Sequence, residues 1–110
     1  MQTIHIARDF SPYPAGRYGT DGKFSGERFR DELLIPALKA NDKVRVVLDD
    51  TRGYGSSFLE EVFGGLIRAD YTLDNLKNQL EIVAEGTVFK RYKTLAERHI
   101  EAAAESNVAA

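Results

Sequence analysis

Lys43-Val44-Arg45-Val46-Val47-Leu48-Asp49-Asp50, followed directly by Thr51-Arg52-Gly53-Tyr54-Gly55-Ser56-Ser57-Phe58, commits the chain to alternating strands and helices. Val44, Val46, Val47 and Leu48 form a nearly continuous apolar, mostly β-branched run, the pattern of a strand buried on both faces. Two glycines then turn the chain, and beyond Ser56 and Ser57 the apolar residues Phe58, Leu59, Val62, Phe63, Leu66 and Ile67 recur at helical spacing. Ser57-Phe58-Leu59-Glu60 fits a capping box, which predicts Ser57 as the cap and Glu60 as its reciprocal partner. Phe58, Val62, Leu66 and Ile67 are expected in the core.

Upstream, Gln2 to Ala7 reads as a strand with Ile4 and Ile6 on one face. Residues Arg8 to Phe24 carry Pro12, Pro14, Gly16, Gly19 and Gly22, the punctuation of a long loop, with Arg17 to Lys23 available as a short edge strand. Ser25 can cap a helix bearing Phe29, Leu33, Leu34, Ala37 and Leu38, in which Pro36 predicts a kink or break. Downstream, Thr72 to Asn78 reads as one short helical turn and Gln79 to Ala84 as another buried strand. A long helix then begins near Thr87, with Phe89, Tyr92, Leu95, Ala96, His99, Ile100 and Ala103 on one face. The order of elements gives an α/β layer fold, organised as a single domain over 1–105 with a frayed tail at 106–110.

The 110 residues include 15 Lys and Arg against 17 Asp and Glu, a formal net charge of -2, and no cysteine. That balance argues against a dedicated nucleic-acid binder. The missing cysteines exclude disulfide scaffolds, thiolate zinc sites and thiol catalysis. The N-terminal Met1-Gln2-Thr3-Ile4-His5-Ile6 lacks a signal-peptide layout and no apolar run is long enough to span a membrane, so a cytoplasmic protein is expected.

Chemistry concentrates in the turn after the central strand. Ligands and partners of open α/β sheets meet the carboxyl ends of strands, and Ser56 and Ser57 open a helix there. Without further information Ser57 is simply a cap and Ser56 a turn residue. A nucleophile elbow is absent, since Phe58 stands where G-x-S-x-G needs glycine. His5 and His99, the only histidines, read as packed or border side chains, and no metal-ligand spacing or phosphate-loop motif occurs. No cofactor is called for. Asp49 and Asp50 face opposite ways at the strand end and so do not pair. The loop from Arg8 to Arg30 interleaves Arg8, Arg17, Lys23, Arg28 and Arg30 with Tyr13, Tyr18 and Phe24, which supports an alternative reading as a nucleic-acid-binding or defence-system accessory module.

Phe10-Ser11 with Pro14, Gly16 and Arg17, then Ser25-Gly26-Glu27-Arg28-Phe29-Arg30 and Pro36, then Ser56-Ser57-Phe58-Leu59-Glu60-Glu61 with Gly64-Gly65, together resemble the STAS-like family of bacterial domains grouped as DUF4325. The resemblance runs from about Ile4 to Arg91. It implies a mixed sheet of about four strands with helices mainly on one face, and a distant likeness to anti-sigma factor antagonists. In those proteins a serine at the start of the second helix is phosphorylated by a partner kinase, and phosphorylation abolishes binding. Here Gly55 stands in place of the motif aspartate and Phe58 in place of the following glycine, so the fold carries over more directly than the modification. By analogy the chain is a non-enzymatic regulatory interaction domain with Ser56 and Ser57 as phosphorylation candidates. Arg17, Arg52, Tyr54, Gly55, Glu60 and Glu61 would form the partner surface. The implied partner is a histidine-kinase-like ATPase or an anti-sigma factor, with a homodimer open, no membrane partner expected and nucleic acid disfavoured.

Overall fold

A computed structural model describes the backbone of residues 1–109 and the side chains of residues 1–106. Of the tail expected to fray, 106–110, the backbone through Ala109 continues the last helix, and the side chains of 107–110 lie outside the described residues. Strands β1 (Gln2–His5), β2 (Val44–Val47) and β3 (Leu80–Val83) form one parallel sheet in the order β1-β2-β3. Among the described residues, β1 ends at His5 in a π turn over Ile6–Phe10, short of the expected Ala7, and four longer helices follow: α1 (26–40), α2 (56–68), α3 (Leu73–Gln79) and α4 (Thr87–Ala109).

The register sets Ile4, Val46 and Ile82 abreast, and all three are buried with Val44 beneath the helices. The alternate residues Thr3, His5, Arg45, Val47, Glu81 and Val83 remain partly or fully exposed, so the helices lie on one face. β2 is therefore buried on one side only, not on both. The expected mixed sheet of about four strands is also corrected, because three strands, all parallel, occur among the described residues. The 17–23 segment does not become an edge strand. The Asp21 carboxylate accepts from the amides of Arg17 and Tyr18 at 3.2 and 2.8 Å, and Gly19–Asp21 curls into a 3-10 turn. These amides are satisfied locally and have nothing left to offer a sheet.

Helix α1 opens as expected, with the Ser25 hydroxyl accepting from the Arg28 amide at 3.2 Å. It runs as α over Gly26–Phe29, as a π turn over Arg30–Leu34 and as α again over Ile35–Ala40. Pro36 neither breaks nor ends it. Proline lacks an amide and crowds the carbonyl four residues back, and the wide turn immediately before it, with the Ile35 amide bonded to the Arg30 carbonyl, absorbs the misfit. α2 has the same construction: α over Ser56–Leu59, a π turn over Glu60–Gly64 and α over Gly65–Arg68.

The two helices meet closely at Gly26, where a Cβ would stand 2.6 Å from the Phe58 carbonyl oxygen. Phe29, Phe58 and Phe63 are fully buried around this contact. From the long loop, Phe10 packs edge-on against Phe29 and Phe24, with ring centroids 5.3 and 5.6 Å apart. α3 falls where the short helical segment was expected, shifted by one residue, and Thr72 and Asn75 cap its start reciprocally. Ahead of α4, the Asp49 carboxylate accepts from the Glu85 and Gly86 amides at 3.0 and 2.8 Å, tying the end of β2 to the turn after β3.

Candidate functional site

The turn from β2 into α2 is tightened at two left-handed positions, Asp50 (φ 72°) and Gly53 (φ 109°). A side chain at Gly53 would also meet the Tyr92 hydroxyl at 2.9 Å. Tyr54 turns inward and donates its hydroxyl to the Leu48 carbonyl at 2.6 Å, and burial pushes its phenol well up, so it stays a neutral donor. Arg52 points the other way, over the Tyr13 ring at 5.5 Å, while its amide donates to the Pro12 carbonyl. Gly55 in extended conformation is the N-cap of α2, so the expected Ser57 cap and its capping box with Glu60 are corrected. Ser56 and Ser57 are instead the first two helical residues, and both are exposed. The Ser56 hydroxyl lies 3.4 Å from His99 Nε2 on α4. Phe58 is fully buried between Tyr54 and Phe29, in the core as expected.

One helical turn beyond Ser56, a dense ionic cluster begins. Arg17, reaching in from the long loop, bonds Glu60 at 2.5 Å and Glu61 at 3.1 Å through Nη1. Arg68 grips Glu60 with both terminal nitrogens, at 2.8 and 2.9 Å. Arg30 on α1 bonds Glu61 Oε2 at 2.5 Å and its backbone carbonyl at 3.0 Å, and its Nε bonds Asp31 at 2.8 Å. The backbone contact follows from the π turn. In a regular α-helix the Gly65 amide would bond the Glu61 carbonyl, but here it bonds Glu60, and Arg30 takes its place at Glu61.

The paired glycines make room for this cluster. A Cβ on Gly64 would collide with the Glu60 carboxylate, and one on Gly65 with the Arg30 guanidinium. Glu61 is only 6% exposed, yet every buried side-chain polar atom described has a partner. The cluster thus joins the long loop, α1 and α2 through paired charges of opposite sign.

Its protonation follows from this packing. Burial alone would raise the Glu60 carboxyl, but the bonds from Arg68 and Arg17 outweigh it and hold the group below its ordinary 4.5. His99 is held below its ordinary 6.5, chiefly by burial, with the charge of Glu60 opposing and that of Arg17 reinforcing the shift. Both groups make the fold acid-labile. The His99 contribution is complete above 6.5 and is lost as pH falls towards its folded value. That of Glu60 is complete above 4.5 and is lost as pH falls through its depressed one. The thermal midpoint, followed by circular dichroism, should therefore fall in two stages on acidification. His99→Gln should flatten the upper stage and Glu60→Gln the lower. A profile flat from pH 7 to 4 would contradict this.

Of the residues expected to form a partner surface, Arg52 and Gly55 are exposed, and Arg17 and Glu60 are half-buried in the cluster. Tyr54 and Glu61 are buried, so neither is presented to a partner, which corrects that assignment. Arg30, Arg68 and His99 join the site from α1, the end of α2 and α4; no local spacing marks them as members. Of the basic residues between positions 8 and 30, Arg8 and Arg17 in the loop and Arg28 and Arg30 on α1 pair with carboxylates, and Lys23 forms no ion pair among the described residues. This neutralises the stripe on which a nucleic-acid reading depends.

The profile of a STAS-like domain of unknown function (DUF4325) matches residues 25–86, which span α1, β2, α2, α3 and β3. Arg17 and His99 lie outside the matched segment. No curated protein and no solved structure matches the chain.

Proposed function

The chain belongs to the STAS-like DUF4325 family, and from that premise we propose that it is a non-enzymatic regulatory interaction domain whose docking surface is the exposed start of α2, with Ser56 as the residue a partner kinase modifies. The observation that carries this reading is the position of Ser56 and Ser57. Both hydroxyls are open to solvent on the first turn of a helix, just beyond the carboxyl end of the central strand. The residues beneath them are locked by packing and ion pairs. A phosphoryl group on Ser56 would add a charge of about -1.5 to -2. It would lie beside His99 and one helical turn from Glu60, and so change the surface without unfolding it.

The partner this implies is a histidine-kinase-like ATPase that supplies the nucleotide, by analogy with anti-sigma factor antagonists. Incubation with such a kinase, followed by mass spectrometry, should place one phosphate on Ser56 and none on Ser56→Ala. Stoichiometric modification elsewhere, unaffected by Ser56→Ala, would overturn the serine switch. The Ser56–His99 contact also bears on the non-enzymatic part of the proposal. At 3.4 Å it is longer than a well-formed hydroxyl–imidazole bond, and no carboxylate bonds the other ring nitrogen among the described residues. A fluorophosphonate probe should leave the protein unlabelled; labelling at Ser56 would make it an enzyme.

A further inference from the structure

The Ser56 hydroxyl and His99 Nε2 bridge the start of α2 and the middle of α4 across 3.4 Å. That gap is too wide for a well-formed hydroxyl–imidazole bond. A phosphoryl group on the same oxygen closes it. Its terminal oxygens extend beyond the hydroxyl and bring an anion to within the ~2.7–2.9 Å of a charge-assisted bond to the ring nitrogen. His99 is half-buried and Ser56 is exposed, so the added group has solvent-side room to turn back onto the imidazole.

The surroundings of His99 favour such an anion. On α4 the residues one helical turn away are Leu95, Ala96, Ala102 and Ala103, so its own helix offers no competing charge. α3 packs on the other flank of α4, along Glu97, Ile100 and Glu101. Two charged groups from other elements act on the ring: Glu60, one turn beyond Ser56 on α2, and Arg17 from the long loop. Glu60 is already answered by Arg17 and Arg68 at 2.5, 2.8 and 2.9 Å, which blunts its repulsion of a second anion. Arg17 spends only Nη1 on its carboxylates; its Nε and Nη2 donate no hydrogen bond among the described residues.

On the reading that Ser56 is the modified residue, we infer that His99 is the receiving group for its phosphoryl: the imidazole takes up a proton from solvent, and Nε2–H donates to a phosphoryl oxygen. The ligand of this site is a phosphate monoester carried by the chain itself. Modification thus fastens the start of α2 to α4 and draws the phosphoryl onto the chain. It also reverses the sense in which His99 supports the fold. The neutral ring of the unmodified chain, held below 6.5 by burial, contributes above that pH and fails on acidification. The paired imidazolium contributes below 6.5 and fails as pH rises through its raised folded value.

The test needs no kinase. Phosphoserine is installed in place of Ser56 in the full chain during synthesis, and the histidine ring protons and the phosphorus resonance are followed by NMR from pH 5 to 8. His99 should titrate below 6.5 in the unmodified chain and above it in the modified one. The phosphoryl group should titrate below its ordinary value of about 6, and His99→Gln should restore that value. A merely structural role for His99 would leave the phosphorus titration unmoved. His5, the other histidine, lies on the sheet face away from the helices, and its signal should not respond to modification. A His99 midpoint that stays below 6.5 in the modified chain, or a phosphoryl midpoint unaffected by His99→Gln, would overturn the inference. Either result leaves the kinase reading of Ser56 standing, because that reading is decided separately by mass spectrometry of the kinase-treated chain.

Discussion

Val62→Asp should yield a chain with no cooperative unfolding transition at pH 7. Val62 is fully buried in the π turn of α2, among the apolar residues that join this helix to the sheet and to α4. An aspartate there loses the valine's burial and must either strand a charge without a partner or take up a proton. Either route costs several kcal/mol, against a total stability of about 5–15 kcal/mol for a domain of this size. Val62→Ala separates loss of packing from burial of charge. It should remain folded, with stability lowered by about 1–3 kcal/mol in urea titration. A Val62→Asp protein with the parental urea midpoint would show that α2 does not face the core as described.

Its neighbour Glu61 makes the opposite case, a buried charge whose removal is harmful. Glu61→Ala should lower stability by about 2–3 kcal/mol, because Arg30 loses its most buried carboxylate and keeps only Asp31 and the residue-61 carbonyl. The Arg30 side chain is only 12% exposed, so water cannot replace the lost carboxylate. Arg17 would keep Glu60, and Arg68 would keep its two-pronged grip on the same residue. Glu60→Ala should cost less although each carboxylate accepts three bonds, since the partners of Glu60 are better hydrated. Urea titration of the two variants decides the order. If Glu60→Ala proves the more damaging, the buried Arg30–Glu61 pair is not the centre of the cluster.

These adjacent positions also show where reading the chain alone succeeds and where it stops. Val46, Phe58, Val62 and Leu66 declare themselves through local periodicity, and each is buried as that periodicity requires. Glu60 and Glu61 mislead because their partners are remote. Ser57 and Glu60 have the spacing of a capping box, yet Glu60 is taken by Arg17, 43 positions away, and by Arg68. A local motif loses to two guanidinium groups that only the folded chain brings near.

The π turns were hidden for a related reason. One additional residue in a helical stripe looks like ordinary irregularity until the amide of Gly65 is seen to bond Glu60. The exposed position of Ser56 and Ser57 could be anticipated from the strand–turn–helix pattern. Their closeness to His99 could not, because it depends on how α4 crosses the start of α2.

The all-parallel sheet also constrains how the molecule is made. Gln2 aligns with Val44, and Val44 with Leu80, so neither pairing can be nucleated by a hairpin. Each must wait for a connection of dozens of residues to close. During synthesis β1 emerges first and has no partner until β2 follows, and the layer is incomplete until β3 is out. In the interval its hydrophobic strands depend on α1 and α2, whose mutual contact at Gly26 and Phe58 requires none of the third strand, for shelter from aggregation.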